Sequence, residues 1–380
     1  MLVLAGLGTG LGLSLQSANA RRNPPRHTAT HRHPKSSGVG GVAPVRPNIV
    51  FVLTDDLSMN LLRYMPHVQA MQRDGLTFRN YFVSDSLCCP SRSSIFTGDF
   101  PHNTHVFDNV GREGGFGAFY AHGEQNRTFA TALQRAGYQT ALMGKFLNGY
   151  LQAQGAAPVP DTYVPPGWSE WDVAGWGYPE FNYTLNQDGV LVPYGHGPGD
   201  YLTDVIANRG VGFINSSVAA HRPFFLELST FAPHNPFTPA PRDIAAFPGL
   251  TAPEPPDFDV LPTHAPRWLA NHPPLTATQI GQLDSNFRLR AESVQAVDTM
   301  IGNIEQELVA DGVANNTYIV FSSDNGLHLG DYRLMTGKLT AFDIDIHVPL
   351  VVVGPGVPAG TSTDAMTENI DLAKTFAAIG

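Results

Sequence analysis

The 380-residue sequence is short of cysteine, of basic charge and of long apolar runs, and each shortage removes a class of protein. Its two cysteines are neighbours, Cys88 and Cys89, and adjacent cysteines close no useful loop, so a disulfide framework is excluded. Lys and Arg number 23 against 33 Asp and Glu, a formal charge of −10, which argues against nucleic-acid binding by bulk electrostatics. A small anion held in a local basic pocket remains compatible with that balance. The apolar run at residues 2–15 is too short and too rich in glycine for a bilayer span, so no stable membrane insertion is expected. Gly-rich dinucleotide and phosphate-loop fingerprints are absent, as are internal repeats. What is present is 42% hydrophobic residues, enough for a sizeable core, with 38 Gly and 31 Pro that imply many turns and long loops.

The start of the chain divides into two expected segments. Residues 1–20 read as a secretory signal peptide, because the apolar run is followed by the small-x-small site Ala18-Asn19-Ala20, although Met1 is not followed by basic residues. The alternative is an uncleaved anchor. A cleaved signal implies a secreted or periplasmic protein. Residues 21–45 are basic and rich in Pro and Gly with almost no large apolar side chain, so they read as a disordered linker. His27, His31 and His33 in it read as a solvated tail before a metal site.

From residue 46 the pattern changes to an α/β one. Ile49–Leu53 is a continuous apolar run, the mark of a strand buried on both faces, and it ends in Asp55-Asp56. Residues 128–137 have helical spacing with Thr128 as N-cap and Gly137 as stop, and Tyr138–Met143 reads as a strand ending in Gly144-Lys145. Residues 284–310 form the longest helical pattern, followed by strands at 318–321 and 348–353. Residues 155–200 and 232–275 read as loops. Helices alternating with apolar strands predict a mainly parallel central sheet flanked by helices.

Ligands of such sheets bind beyond the carboxyl ends of the strands. Two strand ends carry oxygen donors there, Asp55-Asp56 and Asp324-Asn325. One such pair alone is usually a turn or cap, but two at matching positions suit a hard cation, calcium or magnesium, better than zinc. In Cys88-Cys89-Pro90-Ser91-Arg92, the arginine lies one helical turn from the first thiol. A helix starting near Pro90 would put Cys88 at its anion-attracting N-terminus. The generic reading of that pair is buried thiols before a helix-start proline.

Cys88-x-Pro90-Ser91-Arg92 followed by Ser94-x-x-Thr97-Gly98 resembles the signature of the type I sulfatases, in which the first cysteine is oxidised to formylglycine. Further blocks resemble that family in order: Arg46 to Asp56, Gly144-Lys145, Ala232-Pro233-His234-x-Pro236, Ser323-Asp324-Asn325-Gly326, Lys338-x-Thr340-x-Phe342-Asp343, Ile346 to Leu350 and Glu368 to Leu372. The resemblance implies an alkaline-phosphatase-like fold over a catalytic domain at 46–380 and hydrolysis of sulfate monoesters of a sugar or aryl alcohol. It also implies Ca²⁺ (Mg²⁺ as second choice) held by Asp55, Asp56, Asp324, Asn325 and the modified Cys88. One hydroxyl of the hydrated aldehyde then attacks sulfur and the other expels sulfate. Arg92 would hold the hydrate, Lys145 and Lys338 the sulfate oxygens, and His234 the sulfate or the leaving oxygen. A formylglycine-generating enzyme is the implied maturation partner.

The chain also departs from the family. Many members read Gly-Lys-x-His, whereas here Gly144-Lys145 continues Phe146-Leu147-Asn148 without a histidine. This variant and the double cysteine resemble the N-acetylglucosamine-6-sulfatase and heparan endosulfatase branch. His105, with His102 and His328 as alternatives, is the expected replacement donor. Members usually continue into a smaller antiparallel C-terminal subdomain, while this sequence stops at Gly380 inside a helical pattern, so either the domain is incomplete there or this member lacks the subdomain. Two other readings stay open: a phosphonate monoester or phosphodiester hydrolase of the same superfamily, and an inactive carbohydrate-binding relative with an unmodified Cys88.

Overall fold

Seven consecutive residues without an exposed side chain, Asn48–Thr54, form the central strand β1. The computed structural model describes residues 46–151 and 158–380, so the expected signal peptide and linker lie outside the described residues. The other strands are β2 (Leu76–Phe82), β3 (Gln139–Lys145), β4 (Glu170–Ala174), β5 (Thr184–Gln187), β6 (Val190–Pro193), β7 (Phe224–Ser229), β8 (Thr317–Ser323), β9 (Leu350–Val353) and β10 (Thr361–Glu368). They form one sheet in the order β10-β2-β9-β8-β1-β7-β3-β4-β5-β6. From β8 to β4 the five neighbours run parallel, while β9, β5 and β6 run antiparallel to their neighbours. This is the expected mostly parallel α/β sheet.

Side-chain alternation sorts the core into two layers. Val50, Val52, Leu226 and Leu228 face the helices Leu202–Ala219 and Ala277–Ala310, whereas Ile49, Phe51, Leu53 and Phe225 face Cys88–Thr97, Phe129–Arg135 and Ile370–Ile379. Thr128 caps its helix as expected, accepting from the Thr131 N–H. Two expectations need correction. The long helix starts at Ala277, where Thr276 and Gln279 make a reciprocal capping box that begins it a turn and more before the apolar face. Residues 155–200 are not all loop, since they hold β4, β5 and β6.

One buried carboxyl group in the sheet makes stability depend on pH. Glu227 on β7 is 0% exposed and neither carboxyl oxygen has a hydrogen-bond partner among the described residues. Burial pushes it up to about 8, against the opposing pull of Arg92. An unfolded glutamate ionises near about 4.3, so between there and pH 8 the folded chain holds a proton that the unfolded chain has released. Stability therefore falls as pH rises through that window. Glu180, also buried and pushed up to about 8, acts in the same direction. Glu227→Gln should flatten the fall by about 2 kcal/mol or more between pH 5 and 8. Thermal melting of both proteins checks this, and an unchanged slope would place the effect elsewhere.

Candidate active site

In a continuing strand Asp55 and Asp56 would point to opposite faces. Asp56 instead takes a left-handed backbone (φ 66°), which aspartate tolerates, and oxygens of both carboxylates lie within 4.8 Å of Cys88 Sγ and a His234 nitrogen. β8 pairs with β1 in the register Thr54↔Ser323, which brings Asp324 and Asn325 level with them. Asp324 Oδ1 accepts from the Asp56 N–H (3.1 Å). Asn325 Nδ2 donates to Asp56 Oδ1 (2.6 Å), leaving its amide oxygen 3.4 Å from Lys338 Nζ. All four side chains are buried. The glycine that follows is required, since a Cβ on Gly326 would stand 2.0 Å from the Ile344 carbonyl oxygen.

The helix Cys88–Thr97 begins at this point, with Cys88 in its first turn and the Cys89 N–H donating to Asn109 Oδ1 (2.8 Å). The Cys88 thiol donates to Asp55 Oδ1 (3.4 Å) and accepts from Lys338 Nζ (2.8 Å). Burial and the nearby Asp55 push the thiol up to about 12. Arg92 donates from Nε to Asp324 Oδ2 (2.7 Å) and from Nη1 to Ser229 Oγ (2.6 Å) and the Lys145 carbonyl (3.2 Å), while Nη2 has no partner among the described residues. Ser91 joins the helix to β8 by donating to the Asp324 carbonyl (2.5 Å), and Asn369 Nδ2 donates to Ser91 Oγ (3.0 Å).

Lys145 ends β3 and pairs with Asp55, its Nζ 5.1 Å from the Tyr178 ring centre. The strand can lie this close to β7 because position 144 is glycine: its φ is 108° and a Cβ would meet Ser229 O at 2.0 Å. Lys338 pairs with Asp56. Its loop is held by Asp345, which accepts from Thr340 Oγ1 (2.6 Å) and lies 2.9 Å from His328 Nδ1. His234 donates from Nδ1 to the Asn235 carbonyl (2.7 Å) and presents Nε2 to Asp56 Oδ2 at 3.6 Å, with its ring 4.4 Å from Tyr178.

The structure thus brings together Asp55, Asp56, Cys88, Arg92, Lys145, His234, Asp324, Asn325 and Lys338. It does not bring His105 to them. His105 follows the short helix Pro101–Thr104 in a left-handed conformation (φ 57°), is exposed, and lies against His122 at 4.6 Å. His102 is likewise exposed, against Phe100. His328 is buried but braces the Lys338 loop through Asp345. Where the histidine of Gly-Lys-x-His would follow, Phe146 and Leu147 are buried, and Asn148 binds Cys89 Sγ through its N–H (3.0 Å) and Tyr178 through Nδ2 (2.9 Å).

Several contributors carried no sequence motif: Ser229, Asn109, Tyr178 and Arg290. Arg290 donates to the Asp56 carbonyl (2.5 Å). The available signal for it was a lone arginine within the apolar stripe Phe287, Ala291, Val294.

Electrostatically, three carboxylates face three cations at close range: Asp55 with Lys145, Asp56 with Lys338 and Asp324 with Arg92. Burial alone would raise Asp55, yet Lys145, His234, Lys338 and Arg92 together hold it well below the usual carboxylate range. A divalent cation added to this balanced set leaves an excess of positive charge, which an anionic ester would neutralise. The donors fit a hard cation: three carboxylates and an amide oxygen, each with lone pairs to spare beyond the bonds described.

The sulfatase family model matches residues 47–379. Over 352 residues the chain is 37% identical to the N-acetylglucosamine-6-sulfatase of Homo sapiens, an alignment covering 89% of this chain and 62% of that protein. It is 34% identical to the extracellular sulfatase SULF-1 homolog of Drosophila melanogaster, covering 88% of this chain and 30% of that one. The chain therefore spans less than two thirds of the length of these relatives. A solved structure of a protein in complex with its substrate D-glucosamine-2-N,6-O-disulfate superposes with a TM-score of 0.70 at 23% identity, covering 88% of this chain and 76% of that one, which shows a shared fold.

Proposed function

The chain belongs to the sulfatase family, and on that premise we propose that it hydrolyses sulfate monoesters of a sugar or aryl alcohol at the cluster around Cys88. The observation that carries this reading is Cys88 Sγ lying within hydrogen-bond reach of both Lys338 and Asp55, inside a buried set of balanced charges. Asp55, Asp56, Asp324 and Asn325, with the atom that replaces Cys88 Sγ, would hold Ca²⁺, which when bound supplies Lewis-acid polarisation of the sulfate. Oxidation of Cys88 to formylglycine by a formylglycine-generating enzyme would supply a hydrated aldehyde, a nucleophile with a second hydroxyl for release.

The chain's own residues do the rest. Lys145 and Lys338 neutralise sulfate oxygens, and Arg92 holds its charge one helical turn from the nucleophile. Buried Tyr178 and Phe231 wall Lys145 off from water and so strengthen these contacts. His234 stands at the partly exposed edge and can give a proton to the leaving oxygen from Nε2. Export by the expected signal peptide 1–20, with 21–45 as linker and 46–380 as catalytic domain, completes the reading. Among the described residues no helix is long and apolar enough to cross a membrane.

The test is a substrate panel: an aryl sulfate, N-acetylglucosamine 6-sulfate, a phosphate diester and a phosphonate monoester. Sulfates should lead in kcat/KM by about a hundred-fold or more. The reverse ranking would favour the phosphorus-ester alternative. His234→Ala should lower turnover of the sugar sulfate by about a hundred-fold and of an aryl sulfate with an acidic phenol far less. Equal losses would make His234 a sulfate contact and remove it as proton donor.

A further inference from the structure

The four tryptophans divide into two kinds. Trp168 and Trp171 are 8% and 0% exposed, whereas Trp176 and Trp268 are 57% and 55% exposed. A large aromatic face left in water beside a ligand site is free to stack on a bound ring. Trp176 leads back to the site through other rings, and Trp268 through Phe342 and the loop that follows Lys338. Trp176 meets Tyr178 edge-on at 4.9 Å, and Tyr178 in turn lies 4.4 Å from His234 and 5.1 Å from Lys145 Nζ. On the other arm Trp268 lies 6.2 Å from Phe342, which packs on Tyr332 at 4.2 Å. The Phe342 N–H donates to Thr340 Oγ1 (3.2 Å), and the Thr340 carbonyl accepts from Ser86, two residues before Cys88.

We propose that Trp176 and Trp268 are stacking platforms for the sugar rings that adjoin the sulfated one, and that the substrate is a sparsely sulfated carbohydrate chain. The inference rests on the sulfate-ester reading of the Cys88 site. An exposed aromatic face suits the C–H face of a sugar ring, and a sulfate on one ring at the Cys88 cluster places neighbouring rings over the arms. Charge selects sparse sulfation. Burial, with Asp257, Asp331 and Asp343 close by, pushes the Tyr332 hydroxyl up, and the nearby Arg333 is paired with Asp259 at 3.5 Å. A densely sulfated chain meets net repulsion there and from the overall charge of −10.

Binding is best read without turnover, in a Cys88→Ala background. Calorimetry would compare N-acetylglucosamine 6-sulfate, an N-acetylglucosamine hexasaccharide bearing one 6-sulfate, and a heparin hexasaccharide. The singly sulfated hexasaccharide should bind about ten-fold or more tighter than the monosaccharide, and Trp176→Ala or Trp268→Ala should each cut that preference by about ten-fold. Equal affinity for the two lengths, or a preference that survives both substitutions, would overturn the platforms. Preference for heparin would overturn the sparse-sulfation part. Turnover of an aryl sulfate by the unaltered protein reports separately on the catalytic reading. Its absence beside an intact hexasaccharide preference would remove catalysis and leave the platforms standing.

Discussion

Cys88→Ser is expected to end multiple turnover of an aryl sulfate, a loss of about 10⁴-fold or more in kcat, with at most one equivalent of product per chain. Serine matches the buried thiol in shape and can keep the contacts to Asp55 and Lys338, so the fold should survive and the melting temperature should stay near that of the parent. What serine lacks is a second hydroxyl on the same carbon. The companion measurement is the mass of the peptide carrying Cys88, expected about 18 Da lighter than the encoded sequence, as replacement of the CH₂–SH group by an aldehyde requires. An intact thiol in material that turns over sulfate, or a serine variant with parental rates, would remove Cys88 as nucleophile.

Much of the sheet was legible because its central strands are buried on both faces and so read as unbroken apolar runs. β1, β3 and β8 fall within about two residues of their expected bounds for this reason. β4 to β6 were not legible, because their apolar positions are sparse among the Gly, Pro and aromatic residues of 155–200. A local signal was nonetheless there. Asp188-Gly189 joins β5 to β6 with both residues at positive φ (49° and 90°), the two-residue turn that matches strand twist. β9 read as one more buried strand, but its direction is set by pairing with β8 and β2, which no local pattern encodes.

For the site, legibility followed the same divide. Residues fixed at strand ends or at a helix start, such as Asp55, Asp324 and Cys88, could be placed from the chain alone, since topology carries them to one edge. Residues whose position depends on a loop's path could not. His105 sits near the helix Cys88–Thr97 in sequence, yet one left-handed residue after a single helical turn leaves it in solvent. Tyr178 gave no motif because its role is a face, set against His234 and Lys145, and a face leaves no spacing to read.

Asp324→Asn should be the most informative change at the cation site, because it alters two terms that can be measured apart. Asp324 neutralises Arg92, and both side chains are 0% exposed. Removing one partner of a buried pair leaves an uncompensated charge, at a cost of about 3–5 kcal/mol, although the amide keeps the shape and can still accept one hydrogen bond. The second term is calcium. The unaltered protein, stripped with chelator, should gain melting temperature on addition of millimolar Ca²⁺, since a ligand that binds only the folded chain stabilises it by mass action. In Asp324→Asn that gain should shrink or vanish, because one of three anionic donors is gone. Combining it with Arg92→Met separates the terms: the double variant should recover much of the lost stability, as neither charge is then buried alone, while the calcium response stays lost. Recovery of the calcium response in the double variant would show that Asp324 serves only to hold Arg92, and would remove it from the ligand set.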